Sequence, residues 1–263
     1  MPSTTLSELP FPTSLFTMLN KIRKIVLPLI FWFLIWHVLS LIVDNSFMLP
    51  GIKKTFSALM TLITQKTFLK AVISSTVRVI LGLALGCTFG IILAILCKKI
   101  SLFYDIFAPI ITVIRSTPVA SFIVILWLLL DGNTLTVAIG FIMVLPIIWQ
   151  STVDGISSID ESLLEVSRIF EFSVVKKFRL LILPAMKNFL FPAIITSTGL
   201  AWKAEIAAEI IAYTKNSIGQ GINDAKIFMD TPTVFAWTLV VIFFSIILES
   251  LTKFLLRRSK NGT

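Results

Sequence analysis

Two glutamates, Glu205 and Glu209, stand one helical turn apart inside a long apolar stretch, residues 187–212. Like charges at that spacing repel. A charge at the centre of a bilayer costs about 2.5–3.5 kcal/mol even on the gentlest insertion scale. Something cationic must therefore compensate them. Lys203 lies two residues from Glu205 and points elsewhere on the helix, which leaves Arg115 or Arg78 from a neighbouring apolar stretch. Arg115 opens "RSTP" (115–118), where Pro118 must break or kink a helix. Broken helices at membrane depth line cavities, so Arg115, Pro118, Lys203, Glu205 and Glu209 are the candidates for a pathway or gate. A polar seam that is purely structural fits the same residues. Arg78, about eight residues from the outer end of its stretch, has the simpler option of snorkelling to the interface.

Little else in the chain could do chemistry. His37 is the single histidine, which excludes a multi-histidine metal site within one chain. Cys87 and Cys97 share one apolar segment, a poor geometry for a disulfide. No Gly-x-x-x-x-Gly-Lys-Ser/Thr phosphate loop occurs. Neither a nucleophile–base pair nor an acidic cluster supports an integral membrane enzyme. No cofactor or metal is expected on this chain.

The elements that must position these residues follow from composition. Of 263 residues, 56 % are hydrophobic and 14 % charged, with a mean hydropathy of +0.95. A soluble domain carries about 25 % charged residues, so the solvent is lipid. A span needs about 20 mostly apolar residues. Six segments qualify: about 25–43, 70–97, 103–130, 134–153, 187–212 and 233–255. The expected fold is all-α integral membrane, one transmembrane domain at 25–255 with tails at 1–24 and 256–263. The first apolar run has no small-residue cleavage signal and reads as a retained span. Fourteen Lys/Arg outside the spans fall on one side and six on the other, which places both termini in the cytoplasm. Spread in this way, the net charge of +9 orients a membrane protein and does not mark a nucleic-acid surface. Gly82, Gly86 and Gly90 recur every four residues, the spacing that lets helix backbones approach closely.

Between the fourth and fifth spans lies "ESLLEVSRIFEFSVVKKFRLLILPA" (161–185), too short and too charged to cross a bilayer. Residues 161–171 read as a short amphipathic helix. Leu163, Val166 and Phe170 form one stripe, and Glu161, Glu165 and Arg168 another. Ser173 reads as an N-cap for a second short helix that Pro184 closes. Amphipathicity alone allows an interfacial helix or a docking surface for a soluble partner.

The spacing within this loop resembles the EAA loop of ABC-importer permeases: Glu-Ala-Ala, three residues, Gly, nine residues, Ile-x-Leu-Pro. Glu165 and Leu183-Pro184 match residue by residue, with Val166 and Ser167 in place of the alanines and Leu181 in place of isoleucine. Glu171 stands where the family has glycine, so its turn must be made in another way. "FMLPGIKKTFSAL", "SSTVRVILGLALG", "RSTPVASFIVILWLLLDGN", "WKAEIAAEII" and "IGQGINDAKIFMDTPTVFAW" follow the family's order across residues 47–255. Together they resemble its sulfonate/nitrate/taurine-type branch.

The resemblance implies a type I ABC-importer permease (MetI-like) architecture, multi-pass in a bacterial cytoplasmic membrane. It further implies ATP hydrolysis on separate ATPase subunits, an extracytoplasmic substrate-binding protein, and a second permease copy. A homodimer is the simpler expectation, and a pair of similar chains stays open. The loop at 158–184 would couple to the ATPase through Glu161, Glu165, Arg168 and Glu171 as polar contacts. Leu163, Val166, Ile169 and Phe170 would be its anchors, with Leu183 and Pro184 at its end. Gly219 and Gly221, expected to make a turn, and Lys226 mark the outer segment where the binding protein would dock. The substrate implied is a small anionic or zwitterionic organic solute. An ion-driven secondary transporter is the rival; it favours inverted repeats, and the two halves show no convincing self-similarity.

Overall fold

The computed structural model describes residues 13–261; of the two expected tails, residues 1–12 and 262–263 lie outside the described residues. Its helices are α1 (Thr13–Val43), α2 (Ile52–Thr64), α3 (Lys66–Lys99), α4 (Ser101–Ser116), α5 (Val119–Trp127) and α6 (Gly132–Ser157). They continue with α7 (Glu161–Ile169), α8 (Val174–Lys177), a π-helical turn (Phe178–Ile182), α9 (Leu183–Ile211), α10 (Ile218–Ile227) and α11 (Thr231–Asn261). Five helices are long and apolar enough to cross a membrane, or six if one bent pair counts as a span. No strand occurs among the described residues.

The bent pair covers the third apolar segment, expected over 103–130, and its break falls at Pro118, where the sequence places it. Helices α4 and α5 meet at 101°. Thr117 precedes a proline and is driven out of the helical region, to φ −84° and ψ 131°. Pro118 follows with ψ 135°, and α5 starts afresh at Val119.

Helices α3, α6 and α9 form the core. Lipid tails are as apolar as leucine, so such helices associate through close packing. Gly82 lies against the Val137 carbonyl and Gly140, Gly86 against Val144 and Phe141, and Gly90 against Ile148 and Leu145. A Cβ on Gly86 would sit 2.5 Å from the Val144 Cβ. The numbers rise together along both helices, so α3 and α6 run parallel. The chain must therefore return the length of α3 through α4 and α5 before α6 begins. Helix α9 runs antiparallel to α6, with Glu205 against Gly140 and Met186 against Gly155. Trp202, fully buried, donates to the Val241 carbonyl of α11 at 3.0 Å. Trp36 of α1 stacks on Phe235 of α11 and donates to the Pro50 carbonyl at 3.1 Å.

Pro184 does not close the loop, contrary to expectation. Residues Val174–Ile211 run on as one 38-residue helical stretch. The π turn widens the helix just before Pro184, with the Leu183 amide donating to the Phe178 carbonyl five residues back. Proline has no amide hydrogen to satisfy and its ring crowds the preceding turn; a widened turn and a position at the start of α9 accommodate both.

Candidate functional site

Helix α9 carries Glu209 into a closed polar cluster at one end of the core. The Arg78 guanidinium of α3 donates to Glu209 Oε1 through Nη2 at 2.7 Å and Nε at 3.2 Å. Its Nη1 donates to Asn133 Oδ1 of α6 at 3.0 Å. The other carboxylate oxygen accepts from the Ser75 hydroxyl at 2.9 Å and the Gly219 amide at 3.1 Å. Ser75 in turn accepts from the Ile218 amide at 3.1 Å. Glu209 thus ties α3 and caps the start of α10 from a distant part of the chain, using donors that a helix start leaves unsatisfied. Arg78 retains 8 % exposure and Glu209 1 %, so Arg78 does not snorkel. It is the cation that the glutamate pair requires.

Glu205, fully buried, sits apart from this network. Neither of its carboxyl oxygens has a hydrogen-bond partner among the described residues. It occupies the slot left by Gly82 and Gly140, and an added Cβ at either would strike it. Both glutamates are buried where α3, α6 and α9 pack, which matches the structural alternative that the sequence left open. Arg115, the alternative partner, is exposed on α4, and Lys203 is exposed on α9. Neither enters a salt bridge among the described residues.

The loop between α6 and α9 presents an uncovered surface. Asp160 caps α7, its Oδ1 accepting the Ser162 amide at 2.9 Å, and this bond holds its carboxyl below the ordinary aspartate range. Of α7, only Ser167 is buried. Glu161, Leu163, Glu165, Val166, Arg168, Ile169 and Phe170 are all exposed, Ile169 by 76 % and Phe170 by 69 %. Glu171 makes the turn that glycine would: its φ is 46°. The Phe172 amide donates to the Ser167 carbonyl at 2.9 Å and the Glu171 amide to Arg168 at 3.1 Å. That pair of bonds is a Schellman motif with a left-handed residue just past the helix end. No other kind of turn is needed. Ser173 then caps α8 by accepting the Lys176 amide at 3.3 Å, and Lys176 lies 4.2 Å over the Phe172 ring.

A profile of the family described as binding-protein-dependent transport system inner membrane component matches residues 86–261, a range that holds this loop, α9 and α11. The chain belongs to that family. Among similar permeases is SsuC of Bacillus subtilis (strain 168), whose name assigns it to aliphatic sulfonates transport; it is 29 % identical over 191 residues, 70 % of this chain and 67 % of SsuC. The taurine transport system permease protein TauC of Escherichia coli (strain K12) is 23 % identical over 230 residues, 85 % of this chain and 83 % of TauC. A solved bacterial ABC transporter involved in import of the acidic polysaccharide alginate superposes with a TM-score of 0.63 at 15 % identity, over 93 % of this chain and 99 % of that one. This permease is thus a multi-pass membrane subunit whose relatives form the sulfonate/nitrate/taurine branch.

In the segment between α9 and α11 the geometry again differs from expectation. No glycine among the described residues has a positive φ, and the left-handed residues in this segment are Tyr213, Asn216 and Met229. Gly219 is buried against Glu209, and Gly221 lies under the Trp237 ring, so both permit close packing instead of making a turn. Buried Gly219 offers no docking surface, whereas Lys226 is exposed. Sequence reasoning missed Ser75, Asn133 and Gly140. The quoted stretch SSTVRVILGLALG holds Ser75 beside a second serine, Ser74, and nothing local shows that Ser75 is the one that donates to Glu209. Asn133 and Gly140 carry no local signal, because their partners lie more than 50 residues away.

Proposed function

We propose that this chain is the membrane-spanning subunit of an ATP-driven importer, coupled through α7 to a separate ATPase. The observation that carries the proposal is the uncovered face of α7. Leu163, Val166, Ile169 and Phe170 expose apolar surface beside Glu161, Glu165 and Arg168 on a rigidly capped helix, in a chain of the permease family. Apolar anchors ringed by oriented charges suit a protein partner. Closure of an ATPase pair on ATP would move this helix and, through the unbroken stretch 174–211, the core itself, a rigid-body switch.

Six spans with cytoplasmic termini accord with the parallel α3 and α6, since α4 and α5 must recross between them, and with the lysine and arginine distribution. Exposed Arg115 and Lys203, which enter no salt bridge among the described residues, would face, with the Pro118 break, a pathway between two permease copies in the bacterial inner membrane. Charges within spans face interior or water-filled space. Their sign and the relatives' names support a small anionic or zwitterionic organic solute. It would be delivered by an extracytoplasmic binding protein docking beside Lys226. ATP would be held and hydrolysed by the partner subunits.

The test is affinity purification of the tagged chain from its own membranes, wild type beside Glu165→Lys. An ATPase subunit is expected with wild type and depleted at least several-fold in the variant. If no ATPase accompanies wild type in gentle detergent, the importer reading fails.

A further inference from the structure

Where α8 runs through the π turn into α9, a groove of about 420 Å³ opens beside the helix. One part is polar and basic: Arg179, Lys187 and the Asn188 amide. The other is apolar: Leu180, Leu183 and Phe191. Among the described residues no carboxylate lines it and Arg179 enters no salt bridge. π-helical turns concentrate at functional sites, and this one carries Arg179 onto the same groove as Lys187, eight positions on.

We infer that this groove binds the headgroup of an acidic phospholipid of the cytoplasmic leaflet. The shared chemistry is a phosphate monoanion, which two cations and an amide can hold through charge-assisted hydrogen bonds. A lipid is favoured over a free anion by the apolar wall. It begins at the charged linker and continues along α9 towards the spanning segment, so one ligand must satisfy both ends. Basic pockets on the cytoplasmic side of membrane helices take acidic lipids by this means. The inference rests on the cytoplasmic placement of α7 and α9 proposed above, and its readout is independent of ATPase coupling.

The experiment is native mass spectrometry of the tagged complex from its own membranes, titrated with phosphatidylglycerol or with phosphatidylcholine of the same chains. Wild type is expected to carry phosphatidylglycerol about tenfold more readily, with Arg179→Gln losing about fivefold of that preference, the worth of one interfacial charge. Arg179→Lys retains it, and Arg179→Gln with Lys187→Gln abolishes it. Equal binding of the two lipids, or a preference unchanged in Arg179→Gln, overturns the inference. Displacement of the lipid by millimolar inorganic phosphate would also overturn it, because the site would then belong to a soluble anion. Retention of the ATPase in every variant shows the importer reading intact whichever lipid result is found.

Discussion

The cost of burying charge decides the most consequential residue of the core. Glu209 fills its acceptor capacity with Arg78, Ser75 and the Gly219 amide. Removing one member of a buried ion pair strands the other, at about 3–5 kcal/mol, whereas replacing both by apolar residues is often nearly neutral. Arg78→Met is therefore expected to melt well below wild type in detergent, and Arg78→Met with Glu209→Met to recover much of the loss. A double variant as unstable as the single would show that the cluster contributes more than the pair. Glu171 is a smaller case. A β-carbon in the left-handed region costs about 1 kcal/mol, and Glu171 holds φ 46°. Glu171→Gly is expected to stabilise α7 by that amount, read as slower hydrogen exchange at the Phe172 amide, which donates to the Ser167 carbonyl. Faster exchange there would mean that the glutamate side chain contributes to the turn.

Among the elements, the glycine stripe sets how closely α3, α6 and α9 approach. Gly140 faces Glu205 so closely that a methyl group has no room, whereas the nearest atom to a Cβ on Gly51 is 3.8 Å away. Overpacking of a tight core costs roughly 1–3 kcal/mol. Gly140→Ala is expected to lower the melting temperature and the yield of monodisperse protein, with Gly51→Ala close to wild type. Equal behaviour of the two would mean that the core relaxes freely around Glu205. The π turn and α9 form the other decisive element. Continuity through Pro184 makes one helical stretch from Val174 to Ile211, so α8 and the part of α9 that carries Glu205 and Glu209 belong to a single element.

For the whole molecule, the parallel run of α3 and α6 is the strongest constraint on topology. It requires the bent α4–α5 pair to take the chain from one side to the other. With Cys87 and Cys97 replaced by serine, Ser101→Cys and Leu129→Cys are expected to react with a membrane-impermeant maleimide from opposite sides. Ser173→Cys should react from the same side as Ser101→Cys. Labelling of Ser101→Cys and Leu129→Cys from one side only would overturn the parallel run of α3 and α6 across the membrane.

Hydropathy and chain breakers are local properties, and what depends on them was legible in the sequence alone. The lipid-soluble class, the apolar segments, the break at Pro118, the caps at Ser173 and the amphipathic α7 all follow from runs of a few to about 20 residues. The spacing of Glu165 and Leu183-Pro184 brought the family within reach for the same reason. Only the tertiary structure decided which arginine meets which glutamate. It also showed that Glu205 lies in a glycine slot, that Gly219 and Gly221 serve contacts, and that the helix continues through Pro184. Arg78 and Glu209 are 131 residues apart, and Arg78 and Asn133 are 55 apart. Such pairings depend on which helix faces meet and at what depth. Helical periodicity gives each face separately, while close packing between three helices determines their register.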